Sequence, residues 1–216
     1  YYYRWITGNR VKVDDFLGWE KVLELKDNVS FSEDVVYQGV DIKVNRSFNA
    51  GWGTIVLPFD VDAATVQNTF GEGTKLFTLS SYNGGNLNFD LNNDGSIVAG
   101  TPYLIKLPAA ITNGLLFEGM NETAIKATAK VDVELEGAAF RGNYEAGMSM
   151  NGKYGVSPEG KIQKGGESST MKAFRAYFEL TSGAGARIVV NDETTGIREV
   201  IDLTSNGDNV YDLSES

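Results

Sequence analysis

The chain contains no cysteine and no histidine among its 216 residues. Disulfides, thiolate nucleophiles and Cys/His zinc sites are therefore excluded. A Ser-His-Asp triad is excluded too. Any metal must be a hard cation on oxygen ligands, calcium or magnesium. Proline is scarce, at four residues. No apolar run approaches the roughly 20 residues that a membrane-spanning helix needs. Basic clusters are missing as well: 19 Lys and Arg stand against 29 Asp and Glu, for a net charge of −10. Nucleic acids and anionic membrane surfaces both call for a basic patch, so charge disfavours both partners. The lack of cysteine fits the cytosol and fits equally a bacterial exported protein that does without disulfides.

What is present suits short strands joined by tight turns: 25 glycines, ten tyrosines and eleven phenylalanines. A hydrophobic content of 42% is enough for a packed core. The length accommodates one large all-β domain or two small ones. The most apolar stretch is Gly51–Val61, whose Thr54–Leu57 run lacks alternation and predicts a central strand buried on both faces. Pro58 should end it. Gln38–Phe48 alternates, with Val40, Ile42, Val44 and Phe48 on the dry side. Asp62–Phe70 is the helix candidate, capped by Asp60 or Asp62 and closed by Gly71.

Lys75–Ser80 and Leu87–Leu91 read as strands around a hairpin loop at Tyr82-Asn83-Gly84-Gly85. Tyr103–Leu107 is another, stopped by Pro108. Ile125–Glu136 alternates strictly and predicts one long half-buried strand. Met171–Leu180 and Arg187–Val190 predict a hairpin about residues 181–185. About a dozen strands at hairpin spacing predict an all-β fold, an antiparallel β-sandwich with one short helix. Two small packed β-domains are the alternative. The division we expect is an aromatic N-terminal segment at 1–20, a sandwich domain at 21–192 and a C-terminal extension at 193–216.

Four segments then carry a resemblance: Trp52–Asp60 (WGTIVLPFD), Ala99–Lys106 (AGTPYLIK), Phe174–Phe178 (FRAYF) and Thr194–Ile197 (TTGI). Their order and spacing resemble a β-rich module of secreted and cell-surface proteins of Bacteroidetes. Val210–Ser214 is similar to the opening of the sorting tail that often follows that module. The resemblance implies an exported, envelope-associated protein and no catalytic residues. The abrupt Tyr1-Tyr2-Tyr3 start and the cut tail at Glu215-Ser216 lead us to expect a piece of a longer chain, its export signal elsewhere.

Candidate sites come from the residues themselves. Asp90, Asn92 and Asp94, with Gly95 and Ile97, match the opening of a calcium loop, but Thr101 stands where a bidentate Glu belongs. A plain Asn-Asp-Gly turn accounts for the same residues. Paired carboxylates could hydrolyse glycosides without histidine, with Asp60, Asp62, Glu118, Glu122, Glu134, Glu145 and Glu179 as candidates. Asp132, Glu134 and Glu136 are most simply solvated. Arg175 needs a carboxylate if buried, such as Glu179 or Asp60. Trp52, Tyr103, Tyr144, Tyr154 and Tyr177 could stack on sugars or fill the core. Loops are the better recognition elements, so Tyr82, Met148 and Tyr154 are the ligand-binding candidates. The function expected is a non-catalytic surface module for adhesion or assembly, engaging protein partners. A carbohydrate-binding module is the alternative, with a glycan-active hydrolase behind it. The segment 197–203 is a candidate for pairing with a neighbouring chain.

Overall fold

The computed structural model describes residues 2–6, 9–13, 22–120, 122–182, 185–192 and 197–201. The aromatic residues Tyr1, Phe16 and Trp19 of the expected N-terminal segment, the boundary at 193–196 and the tail at 202–216 lie outside them. The fold is all-β with a single helix among the described residues, as the pattern of short strands and glycine turns predicts.

A six-stranded sheet organises the molecule. In order it runs Ile197–Ile201, Arg187–Asp192, Asn86–Leu91, Lys75–Asn83, Tyr103–Leu107, Gly51–Ile55. Its pairs are antiparallel except Arg187–Asp192 with Asn86–Leu91, which are parallel. The tight turn between Asn83 and Asn86 falls on Gly84 and Gly85, with φ of 54° and 81°. Two-residue hairpin turns of this hand need positive φ at both positions, which glycine supplies without a Cβ penalty.

Side chains alternate across this sheet, and both faces are dry. Trp52, Phe77, Leu79, Leu87, Phe89, Leu104, Ile188 and Val190 point to one face. There they meet Ala138, Phe140, Val156, Ala176 and Phe178 of a five-stranded covering sheet. That sheet is ordered Val133–Leu135, Ala138–Asn143, Arg175–Leu180, Tyr154–Val156, Ile162–Lys164. Phe140 and Phe178 stack at 4.6 Å, and Phe89 meets both edge-on. Ile55, Leu76, Ile105 and Leu107 point to the opposite face, into a second core. Leu23 and Leu25 of Val22–Lys26, Ile42 and Val44 of Asp41–Asn45, and Leu115 and Phe117 of Leu115–Phe117 close that core. These strands belong to an N-terminal sheet that also holds Tyr2–Ile6 and Asn9–Val13.

The helix spans Ala63–Phe70. The Asp62 carboxylate caps it, accepting from the Thr65 backbone N–H at 2.8 Å and the Thr65 hydroxyl at 2.9 Å. Gly71 ends it with φ of 102°, donating to the Gln67 carbonyl. A helix this short is marginal alone, so it depends on the burial of Val66 and Phe70. Phe70 meets Phe117 at 5.9 Å, and the Thr69 hydroxyl donates to the Leu116 carbonyl.

Three expectations need correction. Gly51–Ile55 is not a central strand but the last one in its sheet. Its apolar run reflects cover by the other sheet: Trp52 N–H donates to the Pro158 carbonyl at 2.8 Å and Val56 N–H to that of Phe174 at 3.4 Å. A Cβ on Gly51 would stand 2.4 Å from the Pro158 oxygen, so that contact needs glycine. Ile125–Glu136 is not one strand. Glu122–Lys126 pairs with Asp34–Gln38, the chain turns, and only Val133–Leu135 rejoins a sheet. The turn is fixed from outside, because Lys126 N–H donates to the Pro58 carbonyl and Val131 N–H to that of Gly100. Val131 is consequently 53% exposed. Finally, Arg175–Leu180 and Arg187–Asp192 do not form a hairpin. They lie in different sheets, and Arg187–Asp192 instead pairs with Asn86–Leu91 and Ile197–Ile201.

Candidate functional site

The ligand-binding candidates do not converge. The Tyr82 hydroxyl donates to the Ser182 carbonyl at 2.9 Å. Its ring lies beside Gly137, at the Val133–Leu135 end of the covering sheet. Tyr154 pairs with Lys164 and Phe178, across Ala138–Asn143 and Arg175–Leu180 from there. Both rings are half-buried against the core between the sheets. Met148 packs elsewhere, on Met150, Met171 and Tyr177.

In the loop that resembles a calcium site, the polar groups hold the turn itself. The Asp94 carboxylate accepts from the Ser96 backbone N–H at 2.8 Å and from its hydroxyl at 2.9 Å. These bonds, the backbone one first, hold its pKa below the ordinary value. The Asn92 side-chain amide donates to the Ser96 carbonyl at 2.7 Å. Asp90 lies back on its strand and accepts from the Asn191 side chain at 2.7 Å. Among the described residues no group of three or more acids is arranged to hold a metal ion.

The candidate acids are spread over structural tasks. Asp60 accepts from the Ala99 N–H at 2.7 Å, and Asp62 caps the helix. Glu118 and Glu145 are exposed, and the Glu122 side chain lies outside the described set. Asp132, Glu134 and Glu179 do come together, around Arg141 on the outer side of the covering sheet, at 3.4, 2.6 and 2.8 Å. The bond from Glu179 leads in raising the Arg141 pKa. This trio is thus neutralised in part by a cation at its centre, and Asp132 also accepts from the Gly142 N–H. Of the sugar-stacking candidates, Trp52, Tyr103, Tyr144 and Tyr177 are at most 8% exposed. The Tyr144 hydroxyl donates to the Leu57 carbonyl at 2.8 Å, and its burial pushes its pKa up.

The sequence reading weighed Arg175 as a buried residue but missed Arg46 beside it. Where Gly51–Ile55 meets the covering sheet, two arginines are buried: Arg46 is 3% exposed and Arg175 5%. Arg175 pairs with Asp27 at 3.0 Å, not with Glu179 or Asp60, and also donates to the Ala173 carbonyl. Arg46 donates to the carbonyls of Phe174 and, at 2.7 Å, Thr54. Its guanidinium carbon stands 3.9 Å above the Phe48 ring. Its Nε finds no acceptor. Burial pushes both guanidinium pKa values down; nearby Arg175 adds to this for Arg46, and Asp27 opposes it. Phe174 has φ of 64°, the single non-glycine residue with positive φ among the described residues. That conformation costs energy. Here it accompanies a carbonyl that accepts from both Arg46 and Val56. Thr54 seals the seam, its hydroxyl donating to the Ala176 carbonyl at 2.8 Å and accepting from the Ala176 N–H at 3.0 Å. A signal for Arg46 did exist: it falls in phase with Val40, Ile42, Val44 and Phe48 on an otherwise dry face.

The fold and its seam define an all-β protein whose sheets pack on both faces of a central one. Compared with known proteins, it matches no family model, no curated protein and no solved structure.

Proposed function

We propose that the chain is a non-catalytic module of an exported, cell-surface protein, acting in adhesion or assembly through protein contacts. One observation carries this reading. Among the residues whose side-chain burial the structure describes, the large apolar side chains most exposed are aliphatic: Val36, Val98, Leu116 and Val131. Aliphatic surface suits a protein partner, whereas a pyranose ring needs a flat aromatic face, and most of the candidate aromatics are spent in the cores. Val98 and Val131 flank one turn, since Thr101 N–H donates to the Val98 carbonyl and Val131 N–H to that of Gly100. The Ile197–Ile201 strand ends the six-stranded sheet, and its edge away from Arg187–Asp192 is where a partner strand would add. The displaced carboxylates Asp34, Asp62, Asp94 and Glu159 all titrate below their ordinary values. A general acid working near neutral pH needs the opposite shift. The exported setting rests on the resemblance of the Trp52–Asp60, Ala99–Lys106, Phe174–Phe178 and Thr194–Ile197 segments.

A glycan array probed with and without calcium tests this, beside sedimentation of the native chain and a Val98→Asp, Val131→Asp double variant. The expected result is a blank array and self-association weakened by the aspartates. Binding to one glycan family, lost in Tyr154→Ala or Tyr82→Ala, overturns it. Loss on chelation would assign Asp90, Asn92 and Asp94 to calcium.

A further inference from the structure

We infer that Met148, Met150 and Met171 form a site for one soft monovalent metal ion, copper(I) or its analogue silver(I). The chain has four methionines, and these three gather in one cluster with Tyr177. Among the described residues, the buried members of the two large cores include no methionine and are chiefly Phe, Leu, Ile and Val. The third cluster is the reverse. Its buried members are Met150, Met171 and Tyr177, and the half-buried Met148 packs on them. Apolar packing alone does not call for such sorting, since leucine or isoleucine fills a core with better-defined rotamers. Strand geometry makes the convergence. Met148–Ser149 pairs antiparallel with Thr170–Met171, which sets Met148 directly opposite Met171. Side chains so opposed share a face, with Cβ atoms about 4.5–5.5 Å apart. The Met150 N–H donates to the Ser169 carbonyl at 2.9 Å, which carries the ladder one residue further. Met150 therefore shares the face of Met148, two residues before it.

The sequence reading confined metals to oxygen ligands because cysteine and histidine are missing. Thioether sulfur is the soft donor that remains, and soft thioethers select copper(I). Three neutral sulfurs bring no charge of their own, and the Lys153 ammonium stands 5.8 Å from the centre of the Tyr177 ring. A divalent ion would meet twice the repulsion there, so a single positive charge suits the site. The half-buried Met148 is where an ion enters. The inference does not rest on the aliphatic surface proposed for protein contacts, and either can fail alone.

Silver nitrate titrated into the whole chain, labelled with carbon-13 at the methionine methyls and followed by NMR, tests it. Met120 packs against a different core and is the internal control. The expected result is that the Met148, Met150 and Met171 methyl signals move together and saturate at one equivalent while Met120 stays. Copper(I), kept reduced without oxygen, should be taken from a weak chromophoric chelator with the same stoichiometry, and calcium should move none of the signals. Met148→Leu keeps the side-chain volume, so the fold should survive it. Loss of saturable uptake in Met148→Leu at an unchanged unfolding midpoint, with uptake kept in Met120→Leu, separates a ligand role from packing. An absence of methyl shifts, unsaturated shifts of all four methyls, or full uptake by Met148→Leu each overturns the inference.

Discussion

Replacing Asp27 by asparagine removes one charge from the seam and almost no volume. The Asp27 and Arg175 side chains are 13% and 6% exposed, with 3.0 Å between their charged atoms. At an effective dielectric of about 20, unit charges at that distance attract by roughly 5–6 kcal/mol. Relieving the carboxylate's own desolvation returns part of this. What remains is a buried Arg175 beside a buried Arg46, without the carboxylate that faced Arg175. The expected loss is about 3–5 kcal/mol, the range for breaking a buried pair from one side. Urea unfolding at pH 7 reads it directly. A cycle with Arg175→Met gives the coupling, because the double variant should lose about 2 kcal/mol less than the two single losses added. A loss below about 1 kcal/mol, or additive losses, would refute the electrostatic account of the seam.

Two further perturbations follow from the packing and the titration. Gly100→Ala places a Cβ 1.8 Å from the Ala129 carbonyl oxygen at φ of +81°, so a loss of about 2–4 kcal/mol is expected on urea unfolding, and a loss below about 0.5 kcal/mol would contradict it. Asp62 and Glu159 are held down chiefly by bonds from the Thr65 N–H and the Ser157 hydroxyl, and Asp34 by the Thr128 hydroxyl. Their folded pKa values lie below the unfolded ones. The stability they contribute is therefore present above about pH 4 and is lost as the pH falls through the folded values. Urea midpoints should decline below about pH 4, modestly for such exposed groups, and Asp62→Asn should flatten the decline. A flat acid limb in the native chain would contradict this.

Local signals in the sequence were read well where local physics decides. The helix from Ala63 to Phe70 follows from its Asp62 cap and Gly71 stop, and the Gly84-Gly85 turn from glycine's tolerance of positive φ. The Gln38–Phe48 alternation put Val40, Ile42, Val44 and Phe48 on the buried side, as they are. Distant contacts defeated the same logic elsewhere. The alternation from Ile125 to Glu136 is real, but carbonyls of Pro58 and Gly100 bend that segment, and they lie far away in the chain. The residues between Leu180 and Arg187 look like a hairpin turn, yet they carry the chain from one sheet to another. At the seam, alternation placed Arg46 in phase with the core, but no pattern in the sequence names Asp27 as the carboxylate beside Arg175. Pairing across such a separation is set by topology.

The closure of Gly51–Ile55 by distant residues has a kinetic consequence. Thr54 bonds to a residue 122 positions later, and Arg46 to one 128 positions later. During synthesis the apolar run from Ile55 to Leu57 therefore emerges long before its distant partners at Phe174 and Ala176. Contacts of such separation make folding slow, because chain entropy is lost before the contacts form. Until the residues around Phe174 arrive, this stretch is the segment that a chaperone would hold and a protease would find.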